Sequence, residues 1–207
     1  MSLSRGIYGV YDRGGLADDA LARVSLVLAE GLVCLQYRDK RTEAPDHRLI
    51  ADLQALCRAH ETPFIINDDW RLAAEVGADG VHLGQSDGDV AEARAALGPA
   101  AILGVSCQDR IDRARQALAA GADHVSFGRF FVSTTKPDAP PADPAVLARA
   151  RSLGVPIVAI GGIDADNAAR LVAAGADLVA VSRALFARAD GPATAGRLRA
   201  LFDQPAQ

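Results

Sequence analysis

The chain contains no apolar run long enough to cross a membrane, although half of its 207 residues are hydrophobic. Those residues fall in short Ala, Val, Leu and Ile stretches broken by Gly, Asp and Arg, which is the pattern of a water-soluble core. Met1 to Arg5 carry no apolar segment of the signal-peptide kind, so the reading is a cytoplasmic protein. Cysteine is scarce. Cys34, Cys57 and Cys107 are odd in number, far apart, and form neither a CxxC pair nor a Cys/His zinc pattern, which leaves them as free, mostly buried thiols in a reducing compartment. A basic excess is also missing: the formal net charge of −4 argues against electrostatic capture of nucleic acid, so any anion must be held by local groups. No low-complexity segment or interdomain linker interrupts the sequence. Its length suits one domain, residues 1–207, built on one substantial core.

What is present is a repeat. An Ala-rich helical stretch ends at Gly, and an apolar strand follows after Ala-Asp or a similar short link, at Ala29 to Leu35, Val76 to Leu83, Ala120 to Phe127 and Ala174 to Val181. Glycine suits this junction because the residue after a helix often takes positive φ. Short Val/Ile/Leu runs predict strands at Ile7 to Tyr11, Leu32 to Tyr37, Phe64 to Asn67, Gly80 to Leu83, Ile102 to Val105, His124 to Phe127, Ile157 to Ile160 and Leu178 to Val181. Helices are predicted near Leu16 to Ala29, Asp46 to His60, Trp70 to Val76, Gly88 to Leu97, Asp109 to Ala119, Asp143 to Ser152, Asp166 to Ala174 and Ala193 to Phe202. Alternation of this kind calls for right-handed parallel crossovers, and its evenness favours an α/β fold closed as a (β/α)8 TIM barrel over a doubly wound open sheet. The longest irregular stretch, Arg129 to Pro141, has the length of a functional loop.

In such a barrel the loops after the strands build the active face, and the polar residues gather there. Strand 2 runs into Gln36, Arg38 and Lys40, which share one direction by two-residue alternation and offer an amide and two cations to phosphate oxygens and a ring; alone, such a cluster is more often a solvated loop. Strand 3 ends in Asn67-Asp68-Asp69 and strand 4 leads through His82 to Asp87, so Asp68 and Asp87 stand at equivalent ends of adjacent strands. Two carboxylates with positions left for water and phosphate oxygens suit Mg2+. Asp69, next to a helix start, reads as a cap. His82 fits either a catalytic base or a strand-end residue with a hydrogen-bonded ring, and the second reading is preferred, since no partner for base chemistry is evident. Ser106 after strand 5 either faces the same mouth or serves as a cap. Ser133, Thr134, Thr135 and Lys136 in the long loop make a set of hydroxyls ending in a cation. Gly161-Gly162 after strand 7 and Ser182-Arg183 after strand 8 fall where barrels often bind phosphate, with a short helix aimed at the anion.

In this order, Gln36-x-Arg38-x-Lys40, Asn67-Asp68-Asp69, His82-Leu83-Gly84-Gln85-x-Asp87, Gly104-Val105-Ser106, Ser133-x-Thr135-Lys136 and Ile160-Gly161-Gly162-Ile163 closely resemble the motifs of the thiamine-phosphate synthase family over nearly the whole chain. The resemblance implies a transferase that joins hydroxymethylpyrimidine diphosphate to a thiazole phosphate, giving thiamine phosphate and pyrophosphate by a Mg-assisted dissociative substitution. It implies Asp68 and Asp87 as metal ligands, and Arg38, Lys40, Asn67 and Lys136 on the diphosphate. Gln36 and Ser106 would face the pyrimidine, while Ser133, Thr134, Thr135, Gly162, Ser182 and Arg183 would receive the thiazole phosphate. Among these Lys136, Ser106 and Arg38 are the catalytic candidates. Two rivals are weighed. A thiazole tautomerase of the same superfamily would not need the acidic pair or the strand-2 cations, and a non-catalytic phosphate-binding barrel would have little use for Asp68 and Asp87. The partners implied are small molecules, with neither nucleic acid nor membrane, and a symmetric homodimer is compatible with an exposed barrel face.

Overall fold

The computed structural model describes residues 3–15, 20–41, 44–84, 87–131 and 141–203. Its centre is a closed parallel barrel, β1 Gly6–Asp12, β2 Cys34–Arg38, β3 Phe64–Asn67, β4 Gly80–Leu83, β5 Ile102–Ser106, β6 His124–Gly128, β7 Ile157–Ile160 and β8 Leu178–Val181, with each strand paired to its neighbours in chain order and β8 closing on β1. Outside it lie α1 Ala20–Leu28, α2 His47–Ala59, α3 Trp70–Val76, α4 Val90–Leu97, α5 Ile111–Ala119, α6 Ala145–Ala150, α7 Ala168–Ala173, α8 Arg183–Phe186 and α9 Gly191–Arg199. The closed barrel is the α/β architecture expected from the alternation. β2 starts at Cys34, where pairing with Tyr8 begins, and not at Leu32. α1 is described from Ala20; the expected helix start at Leu16 lies outside the described residues. The helix expected to run to Ser152 ends at Ala150 and tightens into a 3-10 turn, Arg151–Leu153.

Strand alternation sorts the side chains into two cores. Ile7, Tyr11, Leu35, Tyr37, Phe64, Ile66, Val81 and Leu83 face outward into the large core under the helices, while Tyr8, Val10, Cys34, Ile65, Ile102, Val158, Leu178 and Ala180 fill the barrel itself together with Leu3. Both faces are buried, which is why the strands read as apolar runs and not as alternating ones. The polar exceptions sit higher on the inward face: Gln36, His82, His124 and Ser126 are all buried. Toward its C-terminal end the lumen therefore changes from hydrocarbon to hydrogen-bonding groups.

The N-terminal end is tied by a repeated clamp. Asp79, Asp123 and Asp177, each just before an even-numbered strand, donate their backbone N–H to Phe64, Leu103 and Ile157. Each carboxylate accepts the N–H of that same residue in return, at 2.8, 2.8 and 3.0 Å. The Ala-Asp link thus satisfies a strand-start donor that would otherwise lack a partner. Asp123 also receives Arg94 at 2.6 Å. Caps follow the same local economy: Asp46, Asp69 and Asp89 accept N–H groups at the starts of α2, α3 and α4, as expected for Asp69.

Candidate functional site

A cavity of about 930 Å³ opens at the C-terminal ends of the strands, and its lining includes Asp12, Gln36, Arg38, Lys40, Asn67, Asp68, Asp87 and Ser106. β1 to β5 supply this set, Gln36 from the middle of β2 and the others from a strand end or the loop beyond it. Gly162, Ser182 and Arg183 line the same cavity from β7 and β8. The structure brings together every expected site residue that it describes. Ser133, Thr134, Thr135 and Lys136 lie outside the described residues.

On one side the cavity carries charge. Arg38 donates at 2.7 Å to Asp12, its register partner on the neighbouring strand β1, which holds its guanidinium at the rim of the barrel. Lys40 pairs with Asp68. Asp68 has a φ of +67° and its backbone N–H donates to the His82 carbonyl at 2.8 Å, so its position is set by β4 as much as by its own strand. The carboxyl groups of Asp68 and Asp87 stand within hydrogen-bonding reach of each other, and burial together with Asp87 pushes the Asp68 carboxyl above the ordinary range, against the opposing pull of Lys40. Asp87 accepts the Gly84 N–H at 2.8 Å. A Cβ on Gly84 would run into Asp87 and come to 3.6 Å from Asp68 Oδ1, so the bare glycine leaves the space into which both carboxylates reach. Behind Arg38 and Lys40, Arg41 holds the Asp39 carboxyl down to about 2.

Deeper, the cavity floor is uncharged and polar. Gln36, 3% exposed, donates through Nε2 to the Tyr8 hydroxyl at 3.1 Å, and burial pushes that phenol well above its ordinary pKa, so it stays neutral. His82 meets the Ser106 hydroxyl at 3.1 Å and the Ser126 hydroxyl at 3.2 Å through Nε2, and His124 at 3.3 Å through Nδ1. The hydrogen-bonded ring expected for His82 is present, and its partners, invisible in the sequence, come from β5 and β6. Ser106 does not cap a helix: α5 is preceded by Arg110, and no side-chain cap bond is made there. Opposite, Asn167 donates to the Gly162 carbonyl at 2.9 Å and ties down the loop after β7. The Ser182 hydroxyl oxygen is buried without a hydrogen-bond partner among the described residues.

Sequence reading missed Asp12, Tyr8, His124 and Ser126. Each lies on the inward face of its strand, two positions from another polar or cavity-lining residue, so an alternation count run to the end of β1 and β6 marks them. The cysteines behave as expected: all three are buried and free, and burial pushes Cys57 and Cys107 up to about 12. No helix among the described residues is long and apolar enough to cross a membrane.

A closed barrel whose C-terminal mouth gathers paired carboxylates, cations and a glycine-rich loop is of the class of barrel enzymes that act on phosphorylated small molecules. The family model described as thiamine monophosphate synthase matches residues 7–185. The chain is 56% identical over 178 residues to the thiamine-phosphate synthase of Methylobacillus flagellatus, covering 86% of this chain and 85% of that protein. It is 50% identical over 202 residues to the thiamine-phosphate synthase of Thioalkalivibrio sulfidiphilus, covering 96% of each. Among solved structures, thiamine phosphate pyrophosphorylase from Pyrococcus furiosus superposes with a TM-score of 0.83 at 29% identity, covering 96% of this chain and 95% of that one. The chain belongs to the thiamine monophosphate synthase family, and is a transferase of thiamine biosynthesis.

Proposed function

We propose that this chain, working as one domain in the cytoplasm, condenses 4-amino-5-hydroxymethyl-2-methylpyrimidine diphosphate with a thiazole phosphate, giving thiamine phosphate and pyrophosphate. The observation that carries this reading is the meeting of Asp68 and Asp87 beside Lys40 and Arg38 in one cavity with Gly162, Ser182 and Arg183. A protein that only isomerises or carries a single phosphate has no use for the first group.

The acidic pair fits Mg2+. Two carboxylates crowded together, one with its proton affinity raised, in a space kept open by Gly84, form a hard-oxygen donor set with too few protein ligands to close the shell, which suits an ion that keeps water and takes phosphate oxygens. Bound there, the ion would neutralise charge on a departing diphosphate. In this reading Arg38, Lys40 and Asn67 grip the diphosphate, and Lys40 trades its contact with Asp68 for a phosphate oxygen. Gln36 and Ser106 hold the pyrimidine. The carbon–oxygen bond to the diphosphate breaks with its electron pair going to the leaving group, and the thiazole nitrogen then donates its lone pair to the pyrimidine-stabilised cation. Gly162, Ser182 and Arg183 seat the thiazole phosphate, and the orphaned Ser182 hydroxyl gives that seat an unused hydrogen-bonding group. Family resemblance assigns Lys136 to the diphosphate and Ser133, Thr134 and Thr135 to the thiazole phosphate. Catalysis by positioned charge needs no strong base.

The test is direct. Purified protein incubated with both phosphorylated precursors and magnesium should yield thiamine phosphate and pyrophosphate in equal amounts. Conversion of the thiazole phosphate alone, without product from the pair, would identify a tautomerase instead. Thermal stabilisation requiring magnesium and pyrophosphate together, and given by neither alone, supports the synthase reading independently of turnover.

A further inference from the structure

We propose that His124 and His82 form a hydrogen-bond relay of fixed direction that makes Ser106 a donor toward an acceptor atom of the ligand, so that both histidines are positioning residues for the ring held at the cavity floor. The proposal rests on the functional reading above for the identity of that ring, an aminopyrimidine with ring nitrogens as acceptors.

The strand register creates the relay. His82, Gly104 and His124 lie side by side on β4, β5 and β6, and one row higher Ser106 pairs with Ser126. The two rings can meet across β5 only because residue 104 lacks a side chain: a Cβ there would strike Nε2 of His124 and Nδ1 of His82. Tyr8 packs against the pair from inside the barrel, with centroid distances of 6.2 Å to His82 and 5.9 Å to His124. His124 is fully buried, and burial with His82 beside it holds its pKa well below the ordinary value, so it stays neutral and carries one ring proton.

The location of that proton sets everything above it. Among the described residues Nδ1 of His124 is buried and has no hydrogen-bond partner. A proton on Nδ1 would therefore be a buried orphan donor, which is rarer and costlier in proteins than an under-used acceptor. The proton belongs on Nε2, where it is donated to Nδ1 of His82 across 3.3 Å. His82 must then accept at Nδ1 and carry its own proton on Nε2, which it gives to the two serine oxygens. With Ser126 buried and 3.3 Å from Ser106, the inner hydroxyl donates to the outer one, and the Ser106 proton points to the cavity. Reversing the direction would make Nε2 of His82 an acceptor open to the proton of either serine, and Ser106 would no longer be committed to donating into the cavity. The relay therefore selects a ligand edge that presents a lone pair at that point.

Two measurements test it on the full chain. With 15N-labelled histidine, two-bond proton–nitrogen correlations distinguish the ring tautomers, and replacements at His47 and His60 separate their signals from those of His82 and His124. Both His82 and His124 should be neutral with the proton on Nε2; an Nδ1 proton or an imidazolium at either ring overturns the relay. For turnover, His124→Phe should lower kcat/KM for the pyrimidine diphosphate by about tenfold with KM for the thiazole phosphate unchanged, and His124→Gln, which returns an N–H donor near the Nε2 position, should restore it to within about twofold. Equal losses in the two variants, or a loss shared by the thiazole phosphate, overturn it. Because the tautomer measurement needs no turnover, a wild-type chain that makes no thiamine phosphate would sink the functional reading alone, and the spectra would still decide the relay. The same holds if the phenylalanine variant does not fold.

Discussion

The two ends of the barrel use aspartate in opposite ways. At the N-terminal end Asp79, Asp123 and Asp177 are copies of one device, each making the same reciprocal pair of bonds to the preceding strand. At the C-terminal end Asp12, Asp68 and Asp87 differ from one another: one holds Arg38, one holds Lys40, and one is held by a backbone N–H. Where the chain needs only closure, repetition suffices, because each βα unit poses the same local problem. Where it needs chemistry, each strand end contributes a different group to a single cavity. The lower carboxylates are satisfied by the fold, whereas Asp68 carries a proton affinity raised by burial and by Asp87 beside it, which a cation would relieve.

That contrast can be broken by substitution. Asp68→Ala should cost roughly a thousandfold or more in kcat, several kcal/mol of barrier, while the melting temperature stays within a few degrees of wild type; a normal rate of thiamine phosphate formation would remove Asp68 from the metal site. Asp123→Ala should do the reverse. It strands the Leu103 N–H and takes the carboxylate from Arg94, whose guanidinium keeps its backbone carbonyl partners, and should lower unfolding free energy by about 1–3 kcal/mol in denaturant melts with kcat per folded molecule unchanged. A stable but inactive Asp123→Ala would merge the two ends into one functional unit. Gly84→Ala sharpens the comparison, since it touches neither carboxylate chemically and only takes their space: the magnesium concentration giving half-maximal rate should rise by about tenfold, read from a metal titration of turnover.

The smallest effect concerns the charged pairs behind the upper rim. Asp39 is held near 2 in the folded chain, below its usual 3.8, chiefly by Arg41. A folded-state value below the unfolded one gives a contribution to stability that is complete above about pH 4 and is lost as pH falls toward 2. Asp39→Asn should therefore reduce the pH dependence of the melting temperature between those limits, with little change in its slope near neutrality.

Much of the molecule is legible in its residues. Trp70 to Val76 as a helix and Phe64 to Asn67 as a strand follow from periodicity and caps alone, and the structure has both at those bounds. The order of polar motifs located the mouth of the barrel. His82 shows where such reading stops. Its partners His124 and Ser126 lie 42 and 44 residues away, and only strand register brings them within bonding distance. The Ala-Asp links were visible as a repeat, but their clamp on the preceding strand was not, because the N–H each one accepts lies 15 or 20 residues earlier.

By itself, then, the amino-acid order determined the alternation of strand and helix, the class of fold, the ends of the strands at which chemistry gathers and the family to which the motifs point. These depend on interactions within a few residues, or on spacing along the chain. Tertiary structure alone decided that Asp68 meets Asp87 in a space left by Gly84, that Arg38 is held by Asp12, and that two histidines touch across a glycine. Those contacts depend on barrel closure and shear, which are set by the packing of all the strands at once and are written in no single segment.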